Sequence, residues 1–322
     1  MIDRFHRNID YIRLSVTDRC NLRCRYCMPA EGISCMPMGE ILTYEELERL
    51  CRIFAGLGIH KIKITGGEPF VRKDLCHLLT RLKQIPGIDN VTLTTNGVLI
   101  LPWLDELKKI DIDGINFSLD TLNPATFYLI SGSHEHKTVL NAIQTAIETG
   151  IHNIKINCVP MSGINDTDIT AIAGLAQKYP VHVRFIEMMP IGLGKNYTAV
   201  SEEEICQKLE SAYGPLLPLD GVFGNGPARY YHIHGFRGHI GFISAMSHRF
   251  CQSCNRVRLT SDGYLKTCLF YEEGINLKYY LRNGYNDKAI SEQIVLALNQ
   301  KPEHHDLLDQ VPESKGMSQI GG

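Results

Sequence analysis

Three cysteines, Cys20, Cys24 and Cys27, form a C-x3-C-x2-C run, and three more, Cys251, Cys254 and Cys268, form a C-x2-C-x13-C run. A four-iron cluster wants four ligands, so a thiolate triplet with no nearby fourth cysteine leaves one iron open to a small molecule. A structural zinc site is the alternative reading, and it requires a fourth ligand to close its tetrahedron. His60 or a distant cysteine could serve the first group, and His248 is the nearest candidate for the second.

The second triplet runs into Arg256-Val257-Arg258. In an extended segment alternate residues share a face, so the two guanidiniums could clamp a polyphosphate. Other cations recur in strand-like runs: Arg13, Lys63 between Ile62 and Ile64, Lys155 between Ile154 and Ile156, and Arg184. Each alone could face solvent. Together they imply a strongly anionic ligand, because a buried cation is costly unless an anion meets it.

These residues need a scaffold, and the chain shows one. Short β-type runs begin at residues 11, 61, 91, 114, 154 and 182, separated by stretches of helical period such as TYEELERLCRIFAGLG from 43 and TDITAIAGLAQKY from 167. Strand, helix, strand in repetition implies right-handed crossovers and a parallel sheet. Polar residues gather at the C-terminal ends of the runs: Gly66-Gly67-Glu68-Pro69, Thr95-Asn96-Gly97, Ser118 with Asp120, Asn157 and Glu187. Parallel α/β folds build their active sites there. Six units are two short of a closed barrel, so the expected class is α/β, an incomplete (β/α)6 TIM-type barrel; an open doubly wound sheet is the other solution. The pattern changes near residue 215, where Gly, Pro and His replace the helical stretches. We therefore expect a barrel over 1–215 and, over 216–322, a C-terminal region that closes the open side and carries the second cysteine group, with two helices near 275 to 300.

Composition narrows the rest. The 322 residues carry 33 Lys and Arg against 35 Asp and Glu, a net charge of -2 that gives no global field for nucleic acid or anionic membrane. No apolar stretch is long enough to span a bilayer, and the start lacks a signal-peptide pattern, so a cytoplasmic protein is expected. In a reducing compartment cysteines serve as ligands or buried thiols, and the five outside the triplets, Cys35, Cys51, Cys76, Cys158 and Cys206, are expected to be small buried hydrophobes.

The C-x3-C-x2-C motif, with aromatic Tyr26 before its last cysteine, resembles the radical S-adenosylmethionine (SAM) superfamily, and GGEP at 66–69 resembles that superfamily's methionine-binding motif. Over nearly its whole length the chain resembles the GTP 3′,8-cyclase family of molybdenum cofactor biosynthesis. The landmarks are RLSVTDRCNLRCRYCMP from 13, KITGGEP from 63, RFIEMMPIG from 184, FCQSCNRVRLTSDGYLKTCLF from 250 and the terminal Ile320-Gly321-Gly322. Asn141-Ala142 stands where the family often has a glycine, on a helix away from chemistry.

The resemblance implies two 4Fe–4S clusters, held by Cys20, Cys24 and Cys27 and by Cys251, Cys254 and Cys268. It implies SAM contacts at Tyr26, Gly67, Ser118 and Met189, and GTP contacts at Arg13, Lys63, Thr94, Lys155, Arg256, Val257 and Arg258. Arg13, Arg256, Arg258, Gly321 and Gly322 are the implied catalytic residues, with the Gly-Gly tail entering the site near Arg13. The implied reaction abstracts hydrogen from C3′ of GTP, the C3′ radical attacks C8 of guanine, and one electron and one proton complete the 3′,8-cyclo-7,8-dihydro product. Implied partners are a reductant protein, a cyclic pyranopterin monophosphate synthase that receives the product, and a second copy in a homodimer. Rival readings are a radical SAM enzyme that modifies a peptide, and a zinc-stabilised binding module without catalysis.

Overall fold

The computed structural model describes residues 1–221, 223–305, 313 and 315–321. Along the chain run β1 (Tyr11–Ser15), α1 (Tyr44–Gly56), β2 (Lys61–Thr65), α2 (Leu75–Lys83), β3 (Asn90–Thr95), α3 (Leu104–Ile110), β4 (Gly114–Ser118), α4 (Pro124–Ser131) and α5 (His136–Glu148). Then follow β5 (Lys155–Cys158), α6 (Ile169–Lys178), β6 (His182–Ile186), α7 (Glu202–Tyr213), β7 (Leu217–Leu219), β8 (Arg229–His232) and β9 (Ile240–Ile243). The chain ends with β10 (Arg256–Leu259), β11 (Tyr264–Lys266), β12 (Ile275–Asn276), α8 (Leu277–Arg282), α9 (Asp287–Asn299) and α10 (Met317–Ile320).

Local chemistry explains the helix starts. Thr43 caps α1 by accepting from Glu46 N at 3.2 Å, while the Glu46 carboxylate accepts from Thr43 N at 2.8 Å. Ser201 and Glu204 form the same reciprocal pair at α7. At α4, Asn123 Oδ1 accepts from Ala125 N and Thr126 N, and Pro124 occupies the first turn, where no donor is needed.

The chain folds as two compact units, each assembled from separated pieces. The first comprises Met1–Asn21, Ile33–Leu93 and Cys251–Gly322. In it β10, β1, β2 and β3 lie side by side and parallel, with β11 antiparallel on β10 and β12 antiparallel on β11. The second comprises Leu22–Gly32 and Thr94–Phe250. Its β4, β5, β6 and β9 are parallel neighbours, followed by antiparallel β8 and β7. This is a mostly parallel α/β fold.

The parallel strands alternate, with apolar residues on one face and the cations and polar residues on the other. Ile12, Leu14, Ile62 and Ile64 are wholly buried in the first unit, and α1 packs Leu47, Leu50 and Phe54 inward. Phe117, Phe185 and Phe242 fill the second. All six strands expected between residues 11 and 187 are present, and α8 and α9 occupy the region near 275 to 300. The expectation for the lone cysteines needs correction: Cys51, Cys76 and Cys158 are buried, but Cys206 is only partly so and Cys35 is exposed. Cys35 sits in the irregular segment before α1, where no element covers it. Among the described residues no helix is long and apolar enough to cross a membrane.

Candidate active site

β1 leads into Thr17-Asp18-Arg19, and the GGEP turn after β2 lies directly against that segment. Gly67 N donates to Thr17 O at 2.8 Å, and Glu68 N donates to Arg19 O at 2.8 Å. A Cβ on Gly67 would lie 2.3 Å from Arg19 O, and one on Gly66 would lie 2.6 Å from Thr17 O. Both glycines therefore permit close main-chain packing within the first unit. Asp18 Oδ2 accepts from Met36 N at 2.7 Å and steadies the approach to Cys20.

The rest of the cysteine loop belongs to the second unit. Arg23 N donates to Ser131 O at 2.8 Å and Arg25 N to Ile130 O at 2.9 Å, fixing the loop to the end of α4. Cys27 N and Met28 N both donate to Cys24 O, at 2.8 and 3.0 Å, so Cys24 and Cys27 sit on one tight turn. Tyr26 packs on Ile130, Met161 and Met188 and donates its hydroxyl to Asp120 Oδ2 at 2.8 Å. Val159 N donates to Asp120 Oδ1 at 2.8 Å. Burial pushes the Asp120 carboxyl up to about 6 despite these two donors. Tyr26 is pushed well above its ordinary value, by burial first and then by Asp120, Cys24 and Cys27. Cys20, Cys24 and Cys27 are all half-buried.

In the first unit the strand register builds a lateral row of cations. Arg13 on β1 is level with Lys63 on β2 and with Arg258 on β10. Neighbouring residues in register share a face of the sheet. Lys63 and Arg258 are each 7% exposed, so neither is a solvent-facing strand residue. Arg258 is pushed well below its ordinary basicity, by burial first and then by Arg13 and Arg256 beside it. Its Nη1 donates to Gly321 O at 2.6 Å. Gly321 takes a left-handed φ of +78°, and a Cβ there would lie 3.0 Å from Ser15 Cβ and 3.2 Å from Thr65 Cγ2. The tail therefore lies over β1 and β2. Gly322 falls outside the described residues. Val257, between the two arginines, is buried, and Arg256 is partly exposed.

The second cysteine group lies beside this row. Cys268 is pushed up, by burial first and also by Cys254 and Cys251, so the three sulfurs share one neighbourhood. Burial alone would raise Cys254 too, but Lys301 and Arg256 outweigh it and bring the thiol down to about 7. Lys301 Nζ donates to Arg256 O at 2.9 Å and to Thr267 O, which fixes its charge near the sulfurs. A thiol held toward its thiolate form, as at Cys254, suits an iron ligand. The histidines proposed to close zinc sites are engaged elsewhere: His60 Nδ1 lies 3.0 Å from Asp89 and His248 Nδ1 lies 3.4 Å from Glu202.

The second unit has its own buried cations. Lys155 and Arg184 are each 6% exposed. Arg184 donates from Nε and Nη2 to Asn157 Oδ1 at 2.9 and 2.6 Å, and Asn157 is level with Ser118 on β4. Gly241, level with Arg184 on β9, leaves room for the guanidinium stem, since a Cβ there would lie 3.0 Å from Arg184 Cγ. Lys155 is pulled down to about 8, by burial first and then by Arg184. Thr94 Oγ1 accepts from Asn116 Nδ2 at 3.3 Å, and Asn116 is level with Lys155. Met189 is held by a tight turn in which Ile191 N donates to Met189 O at 2.8 Å. Among the described residues no carboxylate pairs with Lys155, Arg184 or Arg258.

Family comparisons bear on this geometry. Residues 14–176 match the model of the Radical SAM superfamily, and residues 181–307 match that of Molybdenum Cofactor Synthesis C. The chain is 45% identical to the GTP 3′,8-cyclase of Syntrophomonas wolfei, with all of both chains covered. It belongs to the GTP 3′,8-cyclase family. The relative from Desulforamulus reducens, 44% identical over the full length of both, carries the same name. Family members are radical SAM enzymes, so the chain is an enzyme that uses an iron–sulfur cluster and SAM. Among solved structures, SAM-bound SuiB of Streptococcus suis is similar with a TM-score of 0.61 at 15% identity, covering 88% of this chain and 67% of that one. At that identity the likeness shows the radical SAM fold alone.

Proposed function

We propose that this chain converts GTP to (8S)-3′,8-cyclo-7,8-dihydroguanosine 5′-triphosphate, the first step of molybdenum cofactor biosynthesis. The observation that carries the reading is that each unit buries cations for which the described residues supply no carboxylate, Arg258 in the first and Lys155 and Arg184 in the second, in a chain carrying two cysteine triplets. A triphosphate supplies the missing negative charge. Under this reading residues 1–215 form an incomplete (β/α)6 barrel that generates the radical, and 216–322 form the region that closes it and carries the second cluster.

Cys20, Cys24 and Cys27 would hold one 4Fe–4S cluster, and Cys251, Cys254 and Cys268 another. When bound and reduced, the first supplies the electron that splits SAM to methionine and the 5′-deoxyadenosyl radical, the acceptor for the C3′ hydrogen of GTP. Tyr26, anchored through Asp120, together with Gly67, Ser118 and Met189, positions SAM. Arg13, Lys63, Thr94, Lys155, Arg256, Val257 and Arg258 hold GTP, with the guanidiniums and ammoniums on its phosphates. Gly321 brings the tail beside Arg258, and Gly321 and Gly322 complete the proposed catalytic set with Arg13, Arg256 and Arg258. The protein's contribution is chiefly positioning: C3′ is held near the radical source and C8 near C3′, an entropic advantage that needs no covalent help from a side chain.

The partners that belong to this reading are a reductant protein, a downstream cyclic pyranopterin monophosphate synthase, a second copy in a homodimer, and a cytoplasmic setting without nucleic acid or membrane. The test is anaerobic reconstitution followed by incubation with GTP, SAM and dithionite. About eight irons per chain, as two four-iron clusters require, and formation of the cyclised nucleotide are expected. Zinc in place of iron, or a modified peptide without cyclised nucleotide, would replace this function with one of its rivals.

A further inference from the structure

The segment that follows α9 is built around the second cysteine group in a way no motif announces. Near the N-terminus, Arg7 is fixed by Asp3, its Nε donating to Asp3 Oδ2 at 2.7 Å. The same guanidinium donates from Nη1 to Cys251 O and Glu303 O, both at 3.0 Å, and from Nη2 to Pro302 O at 2.8 Å. One buried cation thus ties the backbone of Cys251 to residues 302–303. Two residues on, His305 is 6% exposed and stacks flat on Phe270, with centroids 4.2 Å apart and planes inclined by 3°. Phe270 is itself two residues past Cys268. The stack leaves His305 Nδ1 at 3.2 Å from Cys251 Sγ.

A thiolate bound to iron has no proton to give, so the hydrogen on the line between these atoms belongs to Nδ1. An N–H donated to a cluster sulfur withdraws charge from the thiolate and favours the more negative, reduced cluster. We propose that His305 is a positioning residue of the second cysteine group, donating its Nδ1–H to the Cys251 sulfur and raising the reduction potential of the cluster held there. The inference rests on the reading that this triplet carries a cluster. Arg7 acts upstream of it by fixing the segment that delivers the ring.

The test uses the full-length chain, reconstituted anaerobically, with Cys20→Ala, Cys24→Ala and Cys27→Ala together so that only the second cluster titrates. EPR-monitored redox titration compares this background with His305→Phe, which keeps a flat ring against Phe270 but removes the N–H, and with His305→Gln, which can restore a donor. The expected result is a more negative potential for the Phe variant and an intermediate one for Gln. Equal potentials in all three overturn the inference. Should the background or the Phe variant fail to load its cluster, pulsed EPR on the reduced wild-type protein decides. A weak nitrogen coupling that changes on 15N-histidine labelling supports the inference; no coupling, or the large coupling of a nitrogen bound directly to iron, overturns it. A wild-type chain that takes up about four irons, one cluster's worth, overturns the underlying reading and the inference with it, whereas two clusters with unchanged potentials overturn the inference alone.

Discussion

Gly67→Ala isolates what the GGEP turn does for the first cysteine group. The new methyl carbon would lie 2.3 Å from Arg19 O, 2.6 Å from Arg19 C and 2.9 Å from Asp18 O, all main-chain atoms with no rotamer to escape into. Relief requires parting the turn from the segment that leads into Cys20. That segment is held by the Gly67 N to Thr17 O and Glu68 N to Arg19 O hydrogen bonds. Overpacking costs about 1–3 kcal/mol, and two main-chain hydrogen bonds add about 1 kcal/mol each. The sum, about 3–5 kcal/mol, corresponds to at least a hundredfold loss in the population that presents Cys20 correctly. Gly56→Ala is the control. Nothing lies within 4 Å of the Cβ it would add, at the end of α1, so it should stabilise by up to about 1 kcal/mol. Iron and sulfide per chain after reconstitution, with SAM cleavage to 5′-deoxyadenosine, form the assay. Gly67→Ala should lose the first cluster and all SAM cleavage, while Gly56→Ala keeps both. A Gly67→Ala protein that loads both clusters and cleaves SAM at the wild-type rate would show that the close approach is not what positions Cys20.

Replacing Arg256 and Arg258 together with Ala should weaken GTP binding by tenfold or more, from about 1.5–3 kcal/mol per charged hydrogen bond lost, with SAM affinity retained; unchanged GTP affinity by calorimetry removes them from the clamp. Lys155, pulled down to about 8, is cationic below that pH and neutral above it, so GTP affinity of the free enzyme should fall as pH rises through about 8. Lys155→Arg should erase that break, and a wild-type profile flat across it contradicts the assignment. Gly321→Ala meets both a left-handed φ and the Ser15 and Thr65 side chains, so it should lower cyclised product per 5′-deoxyadenosine formed; an unchanged ratio would deny the tail a part in positioning. Asp120 has a folded pKa raised to about 6 from 3.8, so its contribution to stability is fully present below about 3.8 and is lost as pH rises through about 6. Asp120→Asn should therefore gain stability relative to wild type as pH rises from 4 to 7, by about 1–3 kcal/mol, since each tenfold change in proton affinity is worth about 1.4 kcal/mol; denaturant midpoints that run parallel over that range contradict it.

What the sequence disclosed follows from what each element needs. β1 and β2 were legible because their apolar residues alternate with polar ones at the period of a strand, and the cation in the middle of each stands between isoleucine and leucine or two isoleucines. That Arg13, Lys63 and Arg258 form one row was not legible, since it depends on β10 pairing with β1 across more than two hundred residues of chain. β9 was obscured for a related reason: α7 and the β7–β8 hairpin separate it from β6, although the two strands are parallel neighbours. The close main-chain approach at GGEP was not legible either, since sequence does not reveal that a neighbouring main chain passes 2.3 Å from the missing Cβ of Gly67. Lys301 and His305 carried no signal at all. They lie beyond α9 without a motif, and long-range contacts bring their segment to the sulfurs: Arg7 reaching back from the N-terminus, Lys301 on Arg256 O and Thr267 O, and the His305–Phe270 stack.

Under the proposed function, the electrostatics of the first unit tie the tail and the substrate to the same cations. Arg258 is buried, and its charged neighbours Arg13 and Arg256 have the same sign, so its environment disfavours the form it must keep. Gly321 O offers a carbonyl dipole at 2.6 Å, which satisfies one donor of a guanidinium but cannot balance a full charge. The second unit repeats the pattern at Arg184, for which Asn157 supplies an amide oxygen in place of a carboxylate. Placing neutral acceptors beside buried cations orients them without cancelling them, and the charge stays available to an incoming anion. Carboxylates in the same positions would have made the empty protein more comfortable and a triphosphate a poorer guest.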